Sequence, residues 1–315
     1  MVRKPAALEP GATLGIISPA SPAHDLEHLS AGITVVEKLG FKVSLSKNVL
    51  GYNKYLAGTE KERLEDLHRA FLDPAIKGII CLRGGYGSMR LLPGINYRIV
   101  RRNPKIFIGY SDITALQLAL WKKTGLVTFS GPMLASDLGN EPSALTLKHL
   151  YNALTERHPL GAIPCAPDAP KTILAPGRAS GHLLGGNLTM VAATLGTPYE
   201  IDTRGAILFL EDIDEEPYRV DRMLQQLHLA GKFDRSAGIV FGEFVNCEAD
   251  DKNSSLTLLE VIQAAVANLG VPSFYGLCAG HGAHKVTLPL GVQAEINADE
   301  CLLKIIEPAT ISTIK

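Results

Sequence analysis

The stretch KIFIGYSDITALQLAL, residues 105–120, changes its hydrophobic period in the middle. Its first half is a short apolar run of β type, its second half has apolar residues at helical spacing, and Ser111 sits at the switch. A buried strand that turns sharply into a helix is the building unit of an open parallel sheet. The serine then stands at the carboxyl end of that sheet, where such folds place their ligands. The same alternation recurs upstream. ATLGIISPA precedes DLEHLSAGITVVEKLG, with Asp25 as the cap and Gly40 as the stop. KVSLS precedes TEKERLEDLHRAFLDP, in which Thr59 and Glu62 have capping-box spacing and Pro74 closes the helix. IKGIICLRGG runs into a glycine loop, and LVTFS follows the helix of the opening stretch. Apolar strands alternating with amphipathic helices need crossovers on both sheet faces, so residues 1–150 predict a parallel, doubly wound α/β domain.

The character changes over residues 151–180, where Pro159, Pro164, Pro167, Pro170 and Pro176 argue for a linker. Residues 181–315 contain the β-type runs AILFLE, AGIVFGEF and CLLKIIE, helices in EEPYRVDRMLQQLHLAG and near LTLLEVIQAAVANLG, and many glycines. They predict a smaller, β-rich mixed domain.

At 315 residues and 46% hydrophobic content the chain can bury a large core, and its length suits two domains. The 31 Lys and Arg against 32 Asp and Glu leave a formal charge of -1, which gives no field to attract nucleic acid or an anionic membrane. The expected partner is small. Five scattered cysteines (Cys81, Cys165, Cys247, Cys278, Cys301), without a C-x-x-C pair, suit core thiols in a reducing compartment. The opening residues carry no uninterrupted apolar segment of secretory length and no later run approaches a membrane span, so a cytoplasmic location is expected.

Four places have residue types that could do chemistry. Ser111 at a strand-to-helix turn has helix N–H groups beside it that suit an oxyanion, although on this segment alone a simple cap by Ser111 or Asp112 is the commoner reading. The G-x-S-x-G elbow is absent, since Ile113 stands where its last glycine would be. In CLRGGYGSMR, Gly84, Gly85 and Gly87 let backbone amides approach a ligand, but Arg90 replaces the third glycine of a dinucleotide fingerprint. Glu211 ends the run AILFLE, where a carboxylate can orient a histidine. Asp214, Glu215 and Glu216 before Pro217 read as a helix start; their spacing matches no calcium loop. His281 lies between Gly280 and Gly282, and with His284 it lacks a third nearby metal ligand. No metal and no cofactor is expected. A serine, a strand-end glutamate and a glycine-flanked histidine together fill the three roles of a serine hydrolase.

The motifs RGGYGS at 83–88, GYSDITAL at 109–116, GHLLGGNLTM at 181–190, LEDIDEEPYRVDRML at 210–224 and GHGAHKVTLPLG at 280–291 resemble those of the LD-carboxypeptidases, serine peptidases of the muramoyltetrapeptide carboxypeptidase type. They span nearly the whole chain in the family's order. The resemblance implies a Rossmann-like N-terminal domain, a β-rich C-terminal domain, a site in the cleft between them and commonly a homodimer. It makes Ser111 the nucleophile, His281 the general base and Glu211 the group that orients it. The backbone N–H groups of Gly85 and Asp112 are the candidate oxyanion hole, and Arg83 and Asn187 candidate contacts to the peptide. The implied substrate is a murein tetrapeptide that loses its terminal D-alanine. A second branch of the family cleaves microcin C-type peptidyl nucleotides. From another class, a nonenzymatic sugar- or nucleotide-binding module would use the glycine cleft but would not need the three residues together.

Overall fold

The computed structural model describes residues 1–23, 25–166, 169–251 and 254–312. The first unit opens with β1 (Thr13–Ile17), α1 (Leu26–Lys38), β2 (Lys42–Leu45), α2 (Glu60–Leu72) and β3 (Ile76–Cys81). It continues with α3 (Tyr97–Arg102), β4 (Ile106–Gly109), α4 (Thr114–Thr124), β5 (Thr128–Ser130) and α5 (Ala144–Thr155). The second unit brings β6 (Gly161–Ala162), β7 (Thr172–Ala175), β8 (Arg178–Asn187), α6 (Leu188–Ala193), β9 (Ile207–Ile213), α7 (Pro217–Leu229), β10 (Gly238–Val245), α8 (Leu258–Val266) and β11 (Ser273–Gly280). After β11 the chain returns to the first unit for β12 (Leu288–Leu290) and closes the second with β13 (Gln293–Asn297) and β14 (Leu302–Ile305).

Local rules account for the helix ends. The Asp25 carboxylate accepts from the N–H groups of Glu27 and His28, and Thr59 with Glu62 forms the expected capping box. Thr257 and Glu260 form a second capping box at the start of α8.

The first unit's sheet has the order β12-β5-β4-β3-β1-β2, parallel from β5 to β2 with β12 antiparallel on the outside. This is the 2-1-3-4-5 doubly wound order, and its switch point lies between β1 and β3. The loops leaving β1, β3 and β4 therefore gather at the carboxyl edge. Helix α4, expected to be amphipathic, is instead buried along its whole first part, from Thr114 to Leu120. It packs against α3 and an unanticipated 3₁₀ segment, Ser88–Gly94, which cover the side that would otherwise meet water.

The second unit's sheet runs β6-β14-β13-β8-β9-β10-β11-β7, with β8 to β11 parallel and the outer strands antiparallel. The β-rich mixed character holds, on an eight-stranded sheet.

The units are Met1–Pro159 with Val286–Gly291 and Pro308–Lys315, and Leu160–Lys285 with Val292–Glu307. The span read as a linker at 151–180 thus carries the end of α5 and three strands or parts of strands. Pro159, Pro164, Pro170 and Pro176 occupy the connections, where a residue without an N–H leaves no ladder bond unmade; Pro167 lies outside the described residues. The span 181–315 is likewise not one piece, because β12 pairs with β5. All five cysteines are free thiols, and burial raises the pKa of Cys81, Cys247, Cys278 and Cys301. Among the described residues no helix is long and apolar enough to cross a membrane.

The returning segment is tied down by a histidine. His149 on α5 is buried, and its Nδ1 accepts from the Thr287 N–H at 3.1 Å. Burial depresses its pKa from 6.5 to about 4. Above pH 6.5 the imidazole is neutral folded or unfolded; below it the unfolded chain takes up a proton that the fold refuses until about pH 4. Stability is therefore lost as pH falls through that window, by on the order of 2–3 kcal/mol between pH 7.5 and 4.5 from this group. Urea titrations at the two pH values should show a smaller acid loss for His149→Gln, by about that amount; equal losses in both proteins would contradict the assignment.

Candidate active site

β4 is buried throughout, and the chain leaves it through Tyr110 in an extended conformation. Ser111 then has φ 60°, a left-handed conformation that an L-residue with a Cβ adopts at a cost. A single 3₁₀ turn, Ser111–Ile113, leads into α4. The turn is held from behind. The buried Gln117 amide donates to the carbonyls of Gly109 and Phe129, both at 2.9 Å, and Tyr110 Oη donates to Asp137 Oδ1 at 2.8 Å. Neither Ser111 nor Asp112 is a side-chain cap of α4, so the cap alternative for Ser111 has no hydrogen bond to support it.

The glycine loop after β3 lies directly against this turn. A Cβ at Gly84 would come within 3.2 Å of the Ser111 Oγ, so only glycine fits there without displacement. The Asp112 carboxylate accepts from the N–H groups of Ser88 at 2.8 Å and Gly87 at 3.3 Å, while Ser88 Oγ donates to the Asp112 carbonyl at 2.5 Å. Burial raises the Asp112 pKa, against the Ser88 hydrogen bonds that favour the ionised form. The guanidinium of Arg63, 2% exposed, donates to the carbonyls of Gly87 at 3.0 Å and Pro19 at 2.7 Å. These bonds use the N–H groups of Gly87 and Ser88, not those of Gly85 and Asp112, the two candidate oxyanion donors.

In the second unit Glu211, on β9 and 1% exposed, takes a 2.7 Å hydrogen bond from Nδ1 of His281. Burial raises the Glu211 pKa and the imidazole opposes the rise. Gly280 makes this approach possible, since a Cβ there would meet Glu211 Oε2 at 2.7 Å. Asn187 sits nearby in a structural role: its Oδ1 accepts from the Met190 N–H at the start of α6, and its amide donates to Asp212 Oδ1 at 2.8 Å. It also favours the ionised form of Glu211. Arg83 is half-buried beside a cavity of about 170 Å³ that also touches Asp25, His28 and Ser136, with its guanidinium 3.4 Å from the Pro22 carbonyl. Among the described residues no group of three or more His, Cys, Asp and Glu is disposed to hold a metal.

Arg63 and Asp137 were absent from the sequence reading. Arg63 lies on the face of α2 that also carries Leu67, Ala70 and Phe71, and a charge on an apolar stripe was the available signal. Asp137 had none, because its partner Tyr110 is 27 residues away.

The first unit thus holds a strained serine at the carboxyl edge of a sheet of this order, and the second unit a buried carboxylate hydrogen-bonded to a histidine. The LD-carboxypeptidase N-terminal domain matches residues 14–131 and the LD-carboxypeptidase C-terminal domain residues 180–296. The chain belongs to the LD-carboxypeptidase family, a family of peptidases. It is 43% identical over 297 residues to a probable murein peptide carboxypeptidase of Bacillus subtilis, covering 94% of this chain and 92% of that one. The crystal structure of muramoyltetrapeptide carboxypeptidase from Oxalobacter formigenes superposes with a TM-score of 0.82 at 33% identity, over 96% and 100% of the two chains. A structure of MccF, the microcin C7 self-immunity protein, in complex with glutamyl sulfamoyl guanosine, gives 0.88 at 28% identity, over 98% and 99%.

The strain at Ser111 is open to measurement. Ser111→Gly removes the Cβ that opposes φ 60°, offset by the greater freedom of glycine in the unfolded chain, and should raise stability by about 0.5–1 kcal/mol in chemical denaturation. Loss of stability on that substitution would show that the conformation carries no strain.

Proposed function

We propose that this enzyme removes the C-terminal D-alanine from murein tetrapeptides by cleaving the bond that follows an L-configured centre. The observation that carries the reading is the Glu211–His281 hydrogen bond: a carboxylate taken out of water and committed to one imidazole nitrogen is the orienting half of a hydrolytic triad. With Nδ1 holding its proton toward Glu211, Nε2 is the nitrogen that takes the proton of Ser111 as the serine oxygen attacks the scissile carbonyl. Glu211 stabilises the imidazolium that results. The N–H groups of Gly85 and Asp112 receive the charge on the tetrahedral oxygen, and the rigid ties among Arg63, Asp112 and Ser88 keep those donors aimed before the reaction begins. The imidazolium returns its proton to the leaving amine of D-alanine, and water then hydrolyses the acyl-enzyme. Arg83, a fixed cation beside its own cavity in the same unit as Ser111, is suited to a substrate carboxylate. The names of the murein-peptide relatives support the substrate class.

The free thiols support a reducing, cytoplasmic setting, where murein peptides are recycled. The working form is a homodimer, which light scattering at micromolar concentration tests: the mass should be twice 33.8 kDa.

Mass spectrometry of tetrapeptides incubated with the protein should show loss of one alanine. Chiral analysis should identify it as D-alanine, with the L-alanine diastereomer and the D-Ala-D-Ala bond of a pentapeptide left intact, because a misplaced carboxylate or amine leaves buried groups unpaired at about 1–3 kcal/mol each. Ser111→Ala and His281→Ala should each lower turnover by several orders of magnitude, and the double variant should be little worse than either. Cleavage of a microcin C-like peptidyl adenylate with the tetrapeptide untouched would instead favour the microcin C branch of the family, to which the name of the Escherichia coli self-immunity relative points.

A further inference from the structure

A second, half-buried carboxylate lies close to the first, and the reaction as derived does not use it. Glu243 interrupts the apolar strand β10, which runs between β9, carrying Glu211, and β11, ending at Gly280. Glu243 pairs in register with Gly280 after an irregularity in the ladder. Its carboxylate reaches past the end of β11 to the segment that follows His281. A Cβ at Gly282 would fall 2.0 Å from Glu243 Oε2 and 2.1 Å from both Cδ and Oε1, so in this arrangement the carboxylate fills the place of a side chain at 282 and would have to move to admit one.

The Gly282 N–H donates to that carboxylate. On the other side the Lys285 ammonium donates to the Gly282 carbonyl at 2.8 Å and lies 3.5 Å from the His281 carbonyl, and its charge attracts Glu243. The peptide units around Gly282 are thus held by both Glu243 and Lys285. Glu243 Oε2 is buried without a hydrogen-bond partner among the described residues, a cost that a leucine or valine in the strand would avoid. Desolvation raises its pKa, with Glu211 adding to the rise and Lys285 and His284 opposing it.

We infer that Glu243 is a positioning residue for His281: by filling the place of a side chain at 282 and accepting from the Gly282 N–H, it fixes residues 281–285 so that the imidazole keeps its register on Glu211. The two glycines that flank His281 then have separate reasons, each cleared for a different carboxylate. The inference rests on the triad proposed above.

The test measures kcat and KM for D-alanine release, with the thermal midpoint of each variant. Glu243→Ala should lower kcat by about 10²-fold with KM changed less than about twofold, the scale of a misplacement near 1 Å. Glu243→Gln, which keeps the shape and the acceptor, should restore kcat to within about fivefold of the parent. Gly282→Ala displaces the carboxylate from its place beside residue 282 and should cost kcat as Glu243→Ala does; it carries the test if the latter does not fold. Gly282→Ala combined with Glu243→Ala should be no slower than Gly282→Ala alone, because the methyl enters vacated space. Unchanged kcat in Glu243→Ala, or losses that multiply in the double variant, would overturn the role. Ser111→Ala and His281→Ala in the same assay keep the two ideas apart: wild-type turnover in either removes the triad, whereas two dead controls beside a fully active Glu243→Ala remove only Glu243.

Discussion

A carboxylate at 1% exposure is expensive to keep ionised, and the second unit is arranged around that cost at Glu211. β9 delivers the side chain from the centre of four parallel strands, and β11 ends one residue before His281, so the imidazole meets the carboxylate at 2.7 Å. One strong, charge-assisted bond takes the place of the lost water. The glycine at 280 follows from it, since a Cβ would collide with Glu211. The neighbouring acid Asp212 is satisfied by the Thr189 backbone and hydroxyl and by the Asn187 amide. The two adjacent buried acids share Asn187, and Glu211 is the one that also takes a hydrogen bond from a histidine.

The first unit answers a different constraint: a serine held at φ 60° must be prevented from relaxing. Parallel strands supply the rigidity, and polar side chains lock the turn to them. Gln117 joins the ends of β4 and β5, Tyr110 reaches Asp137, and Asp112 fastens the glycine loop. Arg63 completes the set by binding two carbonyls from the loops that leave β1 and β3, at the switch point of the sheet. The strained conformation at Ser111 persists because buried hydrogen bonds around it over-determine the turn.

Relatives named for murein peptides and for microcin immunity share this architecture at TM-scores of 0.82 and 0.88. A shared fold of this kind does not by itself fix what is bound or cleaved, because function depends on the particular side chains of the site.

The strands and helices of the first unit were legible because they follow short-range rules: β-type runs, helical spacing, an Asp25 cap and a Thr59–Glu62 capping box act within a few residues of where they are written. The three residues proposed for catalysis were legible for a related reason, since each sits where a local pattern breaks, at a period change, at the end of an apolar strand or between two glycines. The linker at 151–180 was misread because proline marks the absence of an N–H and not the absence of strands on either side. The buried course of α4, the return of β12 to the first sheet, the neutral His149 against Thr287, and the work of Arg63 and Glu243 depend on segments far apart in the chain. Sequence alone determined which local conformations and which reactive groups this protein has; which buried polar groups face one another was decided only by tertiary structure, because burial and its hydrogen-bond partners are properties of the packed chain and not of any window along it.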